Sequence, residues 1–398
     1  MNDPVNPFEE LPEGLVDDLL SKSKIVSNDL LSKFKSIATQ KDKIRNDLIE
    51  KKYLKSYSDL DSTNKYPTSS GVDGSYTIER MLSMDFSCAA AVAVEGLVPP
   101  GPEKKKWPRP RYFSHISVTP HNEDTSQILR GISAGLELHL AVNAPHDVVF
   151  LDGSMKTPLI FLNNATERIK YVPSSLREIF LNGLESVNED FIKFPGLLDV
   201  LDDFEQILKS EKTNKIYAAV PKYTTDNDLA SELGLSGYED RGLLNFVLKG
   251  GEYVGPMNTA WDKSLHLVLD HVTAYLPIEK SVEDKVERFV TDLFPNISTI
   301  YYRPSAYFPV MRVEVANAVI SNKNRLKALL EALYIQSGTI AIMEPYPLYM
   351  ADRMVKHLSN AIPAIKKSAF QNISENWGGS ISDVYMAMHS YRTEGGYR

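Results

Sequence analysis

Two copies of the tripeptide Asp-Gly-Ser are the part of the sequence that most directly indicates chemistry. They lie at 73–75 and 152–154, each after an apolar or turn-entry stretch, so each aspartate is expected at or near a strand. One such tripeptide is more often a turn than a site. If the two strands are neighbours in a sheet, however, Asp73 and Asp152 converge. Two carboxylates at one place repel each other unless a divalent cation neutralises them.

A third carboxylate lies on the helix that is predicted between these two aspartates. Glu137 is the only acidic residue between Thr125 and Asp147, and its neighbours are largely apolar. An unpaired glutamate in such surroundings costs free energy. It is either a surface glutamate at the edge of the helix or a carboxylate that projects toward the two aspartates. Their presence favours the second interpretation.

Hydrophobic patterning predicts the elements that position these carboxylates. Apolar residues recur at three- and four-residue steps over 11–56, which predicts a helix packed on the body of the protein or on a second subunit. Residues 57–70 are polar and turn-forming, which indicates a linker. The next elements are predicted in the order strand, strand, strand, helix, strand, within GVDGSYTIERM, SCAAAVAVEGL, RYFSHISVTP, TSQILRGISAGLELHLAVNA and DVVFLDGSM.

The rest of the chain alternates between predicted helices and strands. The continuous apolar run before Asp152 is typical of a strand buried on both faces. Another strand is expected in KIYAAVPKY, a strand pair in ISTIYYRPSAYFPVMRVEVA, and closing helices in NRLKALLEALYIQSG and PLYMADRMVKHLSNA. Together these elements predict a mixed α/β fold.

Composition excludes several classes of protein. The 398 residues are 43% hydrophobic and 24% charged, which rules out a disordered chain and a coiled-coil rod. The net charge is −8, from 44 basic and 52 acidic residues. A strongly basic nucleic-acid coat protein is therefore excluded, whereas a DNA enzyme with a locally basic channel is not.

The sequence also indicates the cellular compartment and the state of its cysteine. The single cysteine, Cys88, cannot form an intramolecular disulfide and is expected to be buried. The first residues lack a basic region followed by an apolar stretch, so no signal peptide is predicted. Since no apolar run approaches the roughly 18 residues of a membrane span, a cytoplasmic protein without membrane contact is expected.

Basic residues suggest where an anionic substrate would lie. Lys222 follows an apolar strand, where it could hold a phosphate or simply lie in solvent. Arg312 and Glu314 alternate on one strand and either pair with each other or line a DNA path. A basic, proline-rich loop could grip a phosphate backbone or stack an unpaired base. The DNA-binding residues predicted from these features are Lys104, Lys105, Lys106, Trp107, Arg109 and Arg312.

Motifs of other enzyme classes are absent from the sequence. It contains no Walker A pattern, HExxH or GxSxG. An actin-like ATPase also places Asp-Gly loops on related strands, but it would need a second phosphate loop and an adenosine motif, and neither is found. That alternative is therefore the weakest.

The order strand-Asp, two strands, helix-Glu, strand-Asp is similar to that of RNase H-like nucleases, whose carboxylates bind two Mg²⁺ or Mn²⁺ ions. In more detail, the sequence resembles the NurA family, DNA-end-processing nucleases that act with the hexameric HerA translocase. The similar stretches span about residues 70–360. They are SGVDGSYTIERM, ISAGLELHLAVNAPHDVVFLDGSM, IYAAVPKYTTD, EDRGLLNFVLKGGEYVGP, FPVMRVEVA and PYPLYMADRMVKHL.

The resemblance implies a specific fold and site. The fold would be an RNase H-like mixed sheet flanked by helices, with a helical segment over 1–60 for dimer or partner contact and a nuclease domain over 70–398. The family commonly has a further histidine ligand where this chain has Asp352, and Glu137 precedes Asp152 by fewer residues than in the family. The implied metal ligands are Asp73, Glu137, Asp152 and Asp352, and the implied catalytic residues are Asp73, Glu137, Asp152 and Lys222.

The implied activity is that of a Mn²⁺- or Mg²⁺-dependent deoxyribonuclease with a two-metal site. Such an enzyme would cut single-stranded DNA and resect duplex ends 5′ to 3′, as a homodimer fed by a HerA-type hexameric ATPase. Its setting would be double-strand break repair or phage defence. A non-catalytic, NurA-like DNA clamp that docks on an ATPase remains the main alternative, because Asp352 departs from the family pattern.

Overall fold

A computed structural model describes most of the chain, namely residues 8, 11–60, 66–97, 107, 111–184, 194–210, 214–235, 237–258, 265–338 and 341–389. In these residues one mixed nine-stranded sheet carries helices on both faces. The strands are β1 (Leu54–Ser56), β2 (Ser69–Arg80), β3 (Asp85–Glu95), β4 (Tyr112–Thr119), β5 (Val148–Asp152), β6 (Ile216–Val220), β7 (Glu252–Asn258), β8 (Ile297–Tyr302) and β9 (Met311–Ala316).

The helices lie between and after these strands. They are α1 (Glu13–Glu50), α2 (Thr125–Asn143), α3 (Thr157–Arg168), α4 (Ser174–Asn182), α5 (Leu197–Lys209), α6 (Asp228–Glu232), α7 (Asp240–Val247), α8 (Lys280–Arg288), α9 (Asn317–Ile320), α10 (Lys323–Gln336), α11 (Tyr346–Lys356), α12 (Leu358–Asn376) and α13 (Ile381–Met388). None of the described helices has the length and apolar character that crossing a membrane requires. The mixed α/β class and the long N-terminal helix confirm the predicted fold class.

Strand order brings the two Asp-Gly-Ser tripeptides together. The sheet runs β1-β7-β8-β9-β6-β5-β2-β3-β4. Strand β2 pairs antiparallel with β3 and parallel with β5, and β5 pairs parallel with β6. Val72 is opposite Leu151, so the next residues along the two strands, Asp73 and Asp152, are neighbours. The predicted order of strands and helix from β2 to β5 is confirmed.

Two apolar cores cover the faces of the sheet. On one face α2, α3 and α5 pack over a cluster that includes Val72, Val149 and Leu151. On the other face α10 and α11 pack over a cluster that includes Val148 and Phe150. Because successive strand residues face opposite sides, a strand covered on both faces needs a continuous apolar run. This explains the sequence of β5.

Close packing fixes helix α2 above the sheet. A Cβ at Gly131 would lie 2.7 Å from Cβ of Ala165 on α3, and one at Gly135 would lie 2.8 Å from Cγ2 of Val200 on α5. Glycine at these positions lets both neighbouring helices approach α2 closely. The helix that carries Glu137 is therefore held in place from two sides.

The N-terminal segment contributes to the same sheet. Helix α1 ends at Glu50, earlier than predicted, because Lys52 has a left-handed φ of 59° and the chain then forms β1, which pairs with β7. Only the second half of α1 is packed on the body, through Ile37, Ile44 and Leu48. The division into 1–60 and 70–398 stays a prediction.

Candidate metal centre

Three aspartates converge where the parallel pairing of β2 with β5 ends. Asp73 on β2, Asp152 at the end of β5 and Asp352 on α11 each offer one carboxylate oxygen, and these oxygens lie within 4.8 Å of one another. Asp73 alternates with Val72 along β2, so it faces the side of the sheet on which α11 packs. The sheet and one helix thus build a compact acidic cluster.

A glycine on β2 allows α11 to reach this position. A Cβ at Gly71 would lie 2.6 Å from the backbone nitrogen of Leu348 and 2.6 Å from the carbonyl carbon of Pro347. No larger residue fits between the strand and the first turn of the helix. Asp352 follows Leu348 by about one helical turn, so this contact sets its distance from Asp73.

Asp73 has an unusual affinity for protons in this environment. Burial, followed by the charge of Asp152, raises the pKa of Asp73 to about 7, although Lys222 acts in the opposite direction. Its Oδ1 accepts a hydrogen bond of 2.8 Å from the backbone N–H of Gly74. The raised pKa reflects first the loss of solvation that burial imposes on the carboxylate, and second the negative charge of Asp152.

Glu137 approaches the cluster from α2, on the other face of the sheet. Burial raises the pKa of its carboxyl well above the ordinary value, and the charges of Asp73 and Asp152 add to that rise. Glu137 is outside the group of three aspartates whose oxygens lie within 4.8 Å. It is therefore an electrostatic neighbour of the cluster in this structure.

Lys222 lies within the cluster. Its Nζ is 3.2 Å from Oδ2 of Asp152, 3.3 Å from Oδ1 of Asp352 and 3.1 Å from Oε2 of Glu344. Burial alone would lower the pKa of Lys222, but the three carboxylates raise it above its ordinary value. The lysine is therefore a charged ammonium that neutralises part of the acidic cluster.

Glu344 is a member of the site that sequence reasoning missed. It lies just before the Pro-Tyr-Pro-Leu stretch that begins α11, in a segment without hydrophobic periodicity. Burial raises the pKa of Glu344, and Lys222 opposes that rise. The signal that could have revealed it is its position eight residues before Asp352, at the start of the same structural unit.

A buried carboxylate anchors the loop after Asp152. Glu314 on β9 accepts hydrogen bonds from Oγ of Ser154 at 2.7 Å and from the backbone N–H of Met155 at 2.8 Å. It also pairs with Arg312 at 2.8 Å, as the alternation on this strand predicts. Arg312 forms a second ion pair with Asp226 and is only 4% exposed. Its role in DNA binding stays a prediction.

A cleft of about 580 Å³ opens beside Asp152. It extends from the acidic cluster past the loop after β6, where Tyr223 is 95% exposed. Its lining combines acidic, basic and hydroxyl groups, contributed by Asp152, Gly153, Ser154, Lys156, Thr157, Pro221, Lys222, Tyr223, Thr224, Thr225, Asp226, Arg312, Glu314, Asp352 and Lys356.

The predicted basic loop is only partly described. Lys104, Lys105, Lys106 and Arg109 lie outside the described residues. Trp107 is half-buried against the core of α2, and its ring centroid is 4.6 Å from that of His146. The guanidinium of Arg111 lies 4.8 Å from the Trp107 ring. The predicted stacking of a base on this tryptophan stays a prediction.

The donor set fits a hard divalent cation. Carboxylate oxygens are the ligands that Mg²⁺ and Mn²⁺ prefer, and three of them converge here. Within the described residues, the group includes no histidine or cysteine. Lys222 is the basic side chain that pairs with both Asp152 and Asp352, so one positive charge faces three carboxylates. Asp73, Asp152 and Asp352 can therefore hold such an ion.

Comparison with known proteins identifies the fold. No protein-family model and no curated protein matches this sequence. Among solved structures, the chain is similar to the NurA nuclease from Sulfolobus solfataricus, with 16% identity and a TM-score of 0.57 over 93% of this chain and 100% of the other. A second NurA structure is 14% identical, with a TM-score of 0.51 over 92% of this chain and 99% of the other.

A third NurA structure, bound to dAMP and manganese, is 16% identical with a TM-score of 0.46, over 86% of this chain and 96% of the other. The first two structures match 93% and 92% of this chain. Their similarity confirms, at the level of the fold, the resemblance that the sequence motifs indicated. The chain has the fold of the NurA nucleases.

Proposed function

We propose that this protein is a metal-dependent deoxyribonuclease that hydrolyses phosphodiester bonds in DNA. The observation that carries the proposal is the convergence of Asp73, Asp152 and Asp352 where the parallel pairing of β2 and β5 ends, with Lys222 among them. The NurA fold, found over nearly the whole chain, supports the same function.

The residues of the cluster have distinct proposed roles. Asp73, Asp152 and Asp352 would hold Mn²⁺ or Mg²⁺, with Glu137 beside them. A bound ion of this kind polarises a phosphoryl oxygen and makes a water molecule more acidic. The carboxyl of Glu137, whose pKa is raised by burial and by its acidic neighbours, can accept or hold a proton near the reacting phosphate.

The cations beside the cluster would bind the substrate. The ammonium of Lys222 can neutralise an oxygen of the scissile phosphate. The cleft of about 580 Å³ beside Asp152 would receive the neighbouring nucleotides, and Arg312 lies in its wall. Lys104, Lys105, Lys106, Trp107 and Arg109 would add contacts to the phosphate backbone or to an unpaired base.

The finer activity follows the family resemblance. We propose a cytoplasmic homodimer that cleaves single-stranded DNA and resects duplex ends 5′ to 3′, with a HerA-type hexameric ATPase, in end repair or phage defence. The exposed apolar residues of the first half of α1 support a contact with a second subunit or partner. They are Leu15, Leu19, Leu20, Ile25, Val26, Leu30 and Leu31.

Cleavage of end-labelled DNA tests the proposal. Wild type should degrade single-stranded and duplex DNA with Mn²⁺ or Mg²⁺ and not with EDTA, and Asp73→Asn should be inactive. The matched control Asp284→Asn changes an exposed aspartate of α8 and should retain activity. If no metal supports cleavage, even after addition of a HerA-type ATPase, the non-catalytic clamp becomes the better account.

A further inference from the structure

The ammonium of Lys222 binds the same aspartates that would bind a metal ion. Asp152 and Asp352 belong to the group of three converging aspartates, and each already faces Lys222 at 3.2 to 3.3 Å. The third partner is Glu344, at 3.1 Å. Lys222 thus forms ion pairs with three carboxylates at once.

Both of these aspartates are also engaged through their other oxygen. Oδ1 of Asp152 accepts a hydrogen bond of 3.0 Å from the N–H of Gly153, and Oδ2 of Asp352 pairs with Lys356 at 2.7 Å. A divalent cation held by Asp152 and Asp352 would therefore lie close to the ammonium of Lys222. Two positive charges a few ångströms apart repel each other strongly outside bulk water.

Glu344 offers Lys222 a position that does not compete with the ion. Glu344 pairs with Lys222 but is not in the group of three aspartates. We infer that Lys222 is a built-in counter-cation that competes with the metal ion for Asp152 and Asp352, and that Glu344 is the positioning residue that retains Lys222 when the ion binds. This inference rests on the proposed metal-dependent function.

Manganese affinity of the full chain tests the competition. Free Mn²⁺ is measured by electron paramagnetic resonance during titration of wild type, Lys222→Met, Glu344→Gln and the double variant. Removal of the ammonium should tighten Mn²⁺ binding about tenfold, because one nearby positive charge is lost. Glu344→Gln should weaken binding about fivefold, because Lys222 then has only the two aspartates left.

Two control variants change charge in the same cleft. Lys156→Met removes a cleft lysine that forms no ion pair within the described residues, and Asp226→Asn removes an acid that pairs with Arg312. Both should alter Mn²⁺ affinity less than about twofold. In the Lys222→Met background, Glu344→Gln should change Mn²⁺ affinity no more than Asp226→Asn does, because Glu344 then has no Lys222 to retain.

Thermal unfolding gives a readout that does not depend on activity. Lys222→Met should unfold at lower temperature than wild type in EDTA, because the acidic cluster loses its counter-cation, and the difference should vanish with saturating Mn²⁺. Lys156→Met should show the same difference from wild type in both conditions. Lys222→Gln, which keeps a polar side chain, replaces Lys222→Met if the latter does not fold.

Three outcomes separate this inference from the proposed function. Equal Mn²⁺ affinity of wild type and Lys222→Met would overturn the competition. An effect of Glu344→Gln that is the same with and without Lys222 would show that Glu344 acts as a plain acidic group. If Asp73→Asn abolishes Mn²⁺ binding but Lys222→Met leaves Mn²⁺ affinity unchanged, only the inference about Lys222 fails. If the wild-type protein binds no Mn²⁺, both this inference and the proposed metal-dependent function are overturned.

Discussion

The two Asp-Gly-Ser tripeptides have one sequence and two structural settings. The first lies within β2, where Asp73 pairs with Val92 of β3 and the strand continues to Arg80. The second ends β5, where Gly153 has a φ of +77° and the chain turns toward α3. What they share is an aspartate whose Oδ1 accepts a hydrogen bond from the next N–H, at 2.8 Å and 3.0 Å.

Glycine serves a different purpose in each copy. A Cβ at Gly74 would lie 2.6 Å from Oγ and 2.9 Å from the carbonyl oxygen of Ser133 on α2. A Cβ at Gly153 would meet nothing closer than 3.5 Å, so only its left-handed backbone requires glycine there. The two tripeptides therefore share the position of the aspartate at the cluster, but only the second one forms a turn.

The largest expected effect is the loss of DNA cleavage when the aspartate of either tripeptide is replaced. Asp73→Asn and Asp152→Asn should each lower the rate of DNA cleavage by about a thousandfold or more, since each removes a charged ligand of the proposed ion. Single-turnover cleavage with saturating Mn²⁺ measures this. A variant of either aspartate that retained the wild-type rate would break the proposed equivalence of the two copies.

The glycines should respond in opposite ways to the choice of substituent. Gly74→Ala should destabilise the protein by about 2–4 kcal/mol, because backbone atoms of Ser133 must move, and Gly74→Asn should cost more. Gly153→Ala should cost about 1–2 kcal/mol and Gly153→Asn less, because asparagine tolerates left-handed backbone better than alanine does. Urea unfolding in EDTA measures all four variants.

A double variant sharpens that contrast. In Gly74→Ala with Ser133→Ala, the hydroxyl is removed but the carbonyl oxygen stays 2.9 Å from the new Cβ. Only part of the stability should return. Full recovery would mean that helix α2 is less firmly held than its packing against α3 and α5 indicates.

The charge of Asp73 should make the metal-free protein sensitive to pH. The folded-state pKa of Asp73, about 7, is above its ordinary value. Stability is therefore highest below the unfolded-state pKa and falls as pH rises from there to about 7, because the folded state resists ionisation of Asp73. In EDTA, Asp73→Asn should match wild type near pH 4 and exceed its stability by about 1–3 kcal/mol near pH 7. Thermal unfolding across this range checks the sign, and a constant difference would contradict it.

The smallest effect on stability is expected for the serines of the two Asp-Gly-Ser tripeptides. Ser154→Ala should destabilise by about 1 kcal/mol, because Glu314 loses one hydrogen bond at 2.7 Å while buried. Ser75→Ala should stay within about 0.5 kcal/mol, because no hydrogen bond of its side chain is found in the described residues. Equal effects in urea unfolding would remove this distinction.

Sequence patterns predicted the part of the fold that local chemistry determines. The apolar run before Asp152 and the alternation in β9 predicted strands. The repeated Asp-Gly-Ser tripeptide indicated that Asp73 and Asp152 converge if their strands are neighbours, and the pairing of β2 with β5 meets that condition. By contrast, Glu344 pairs with Lys222 across a large separation in sequence, through the docking of α11 on Gly71. No local pattern encodes that contact.

Strand β7 and helix α1 also show what local sequence patterns cannot predict. Strand β7 was not predicted, because Gly255 and Pro256 interrupt its sequence, and the sheet accommodates them with a register shift between Val254 and Met257. The periodicity of α1 predicted a helix correctly but could not say what covers its apolar side. Much of that side, including Leu19 and Leu30, is exposed in the single chain.

Locating manganese in a crystal by anomalous scattering tests the central claim most directly. A peak in contact with Asp73, Asp152 and Asp352, present in wild type and lost in Asp73→Asn, is the predicted result. Manganese bound elsewhere, or a cluster that stays free of metal at concentrations that support DNA cleavage, would contradict the assignment of this site.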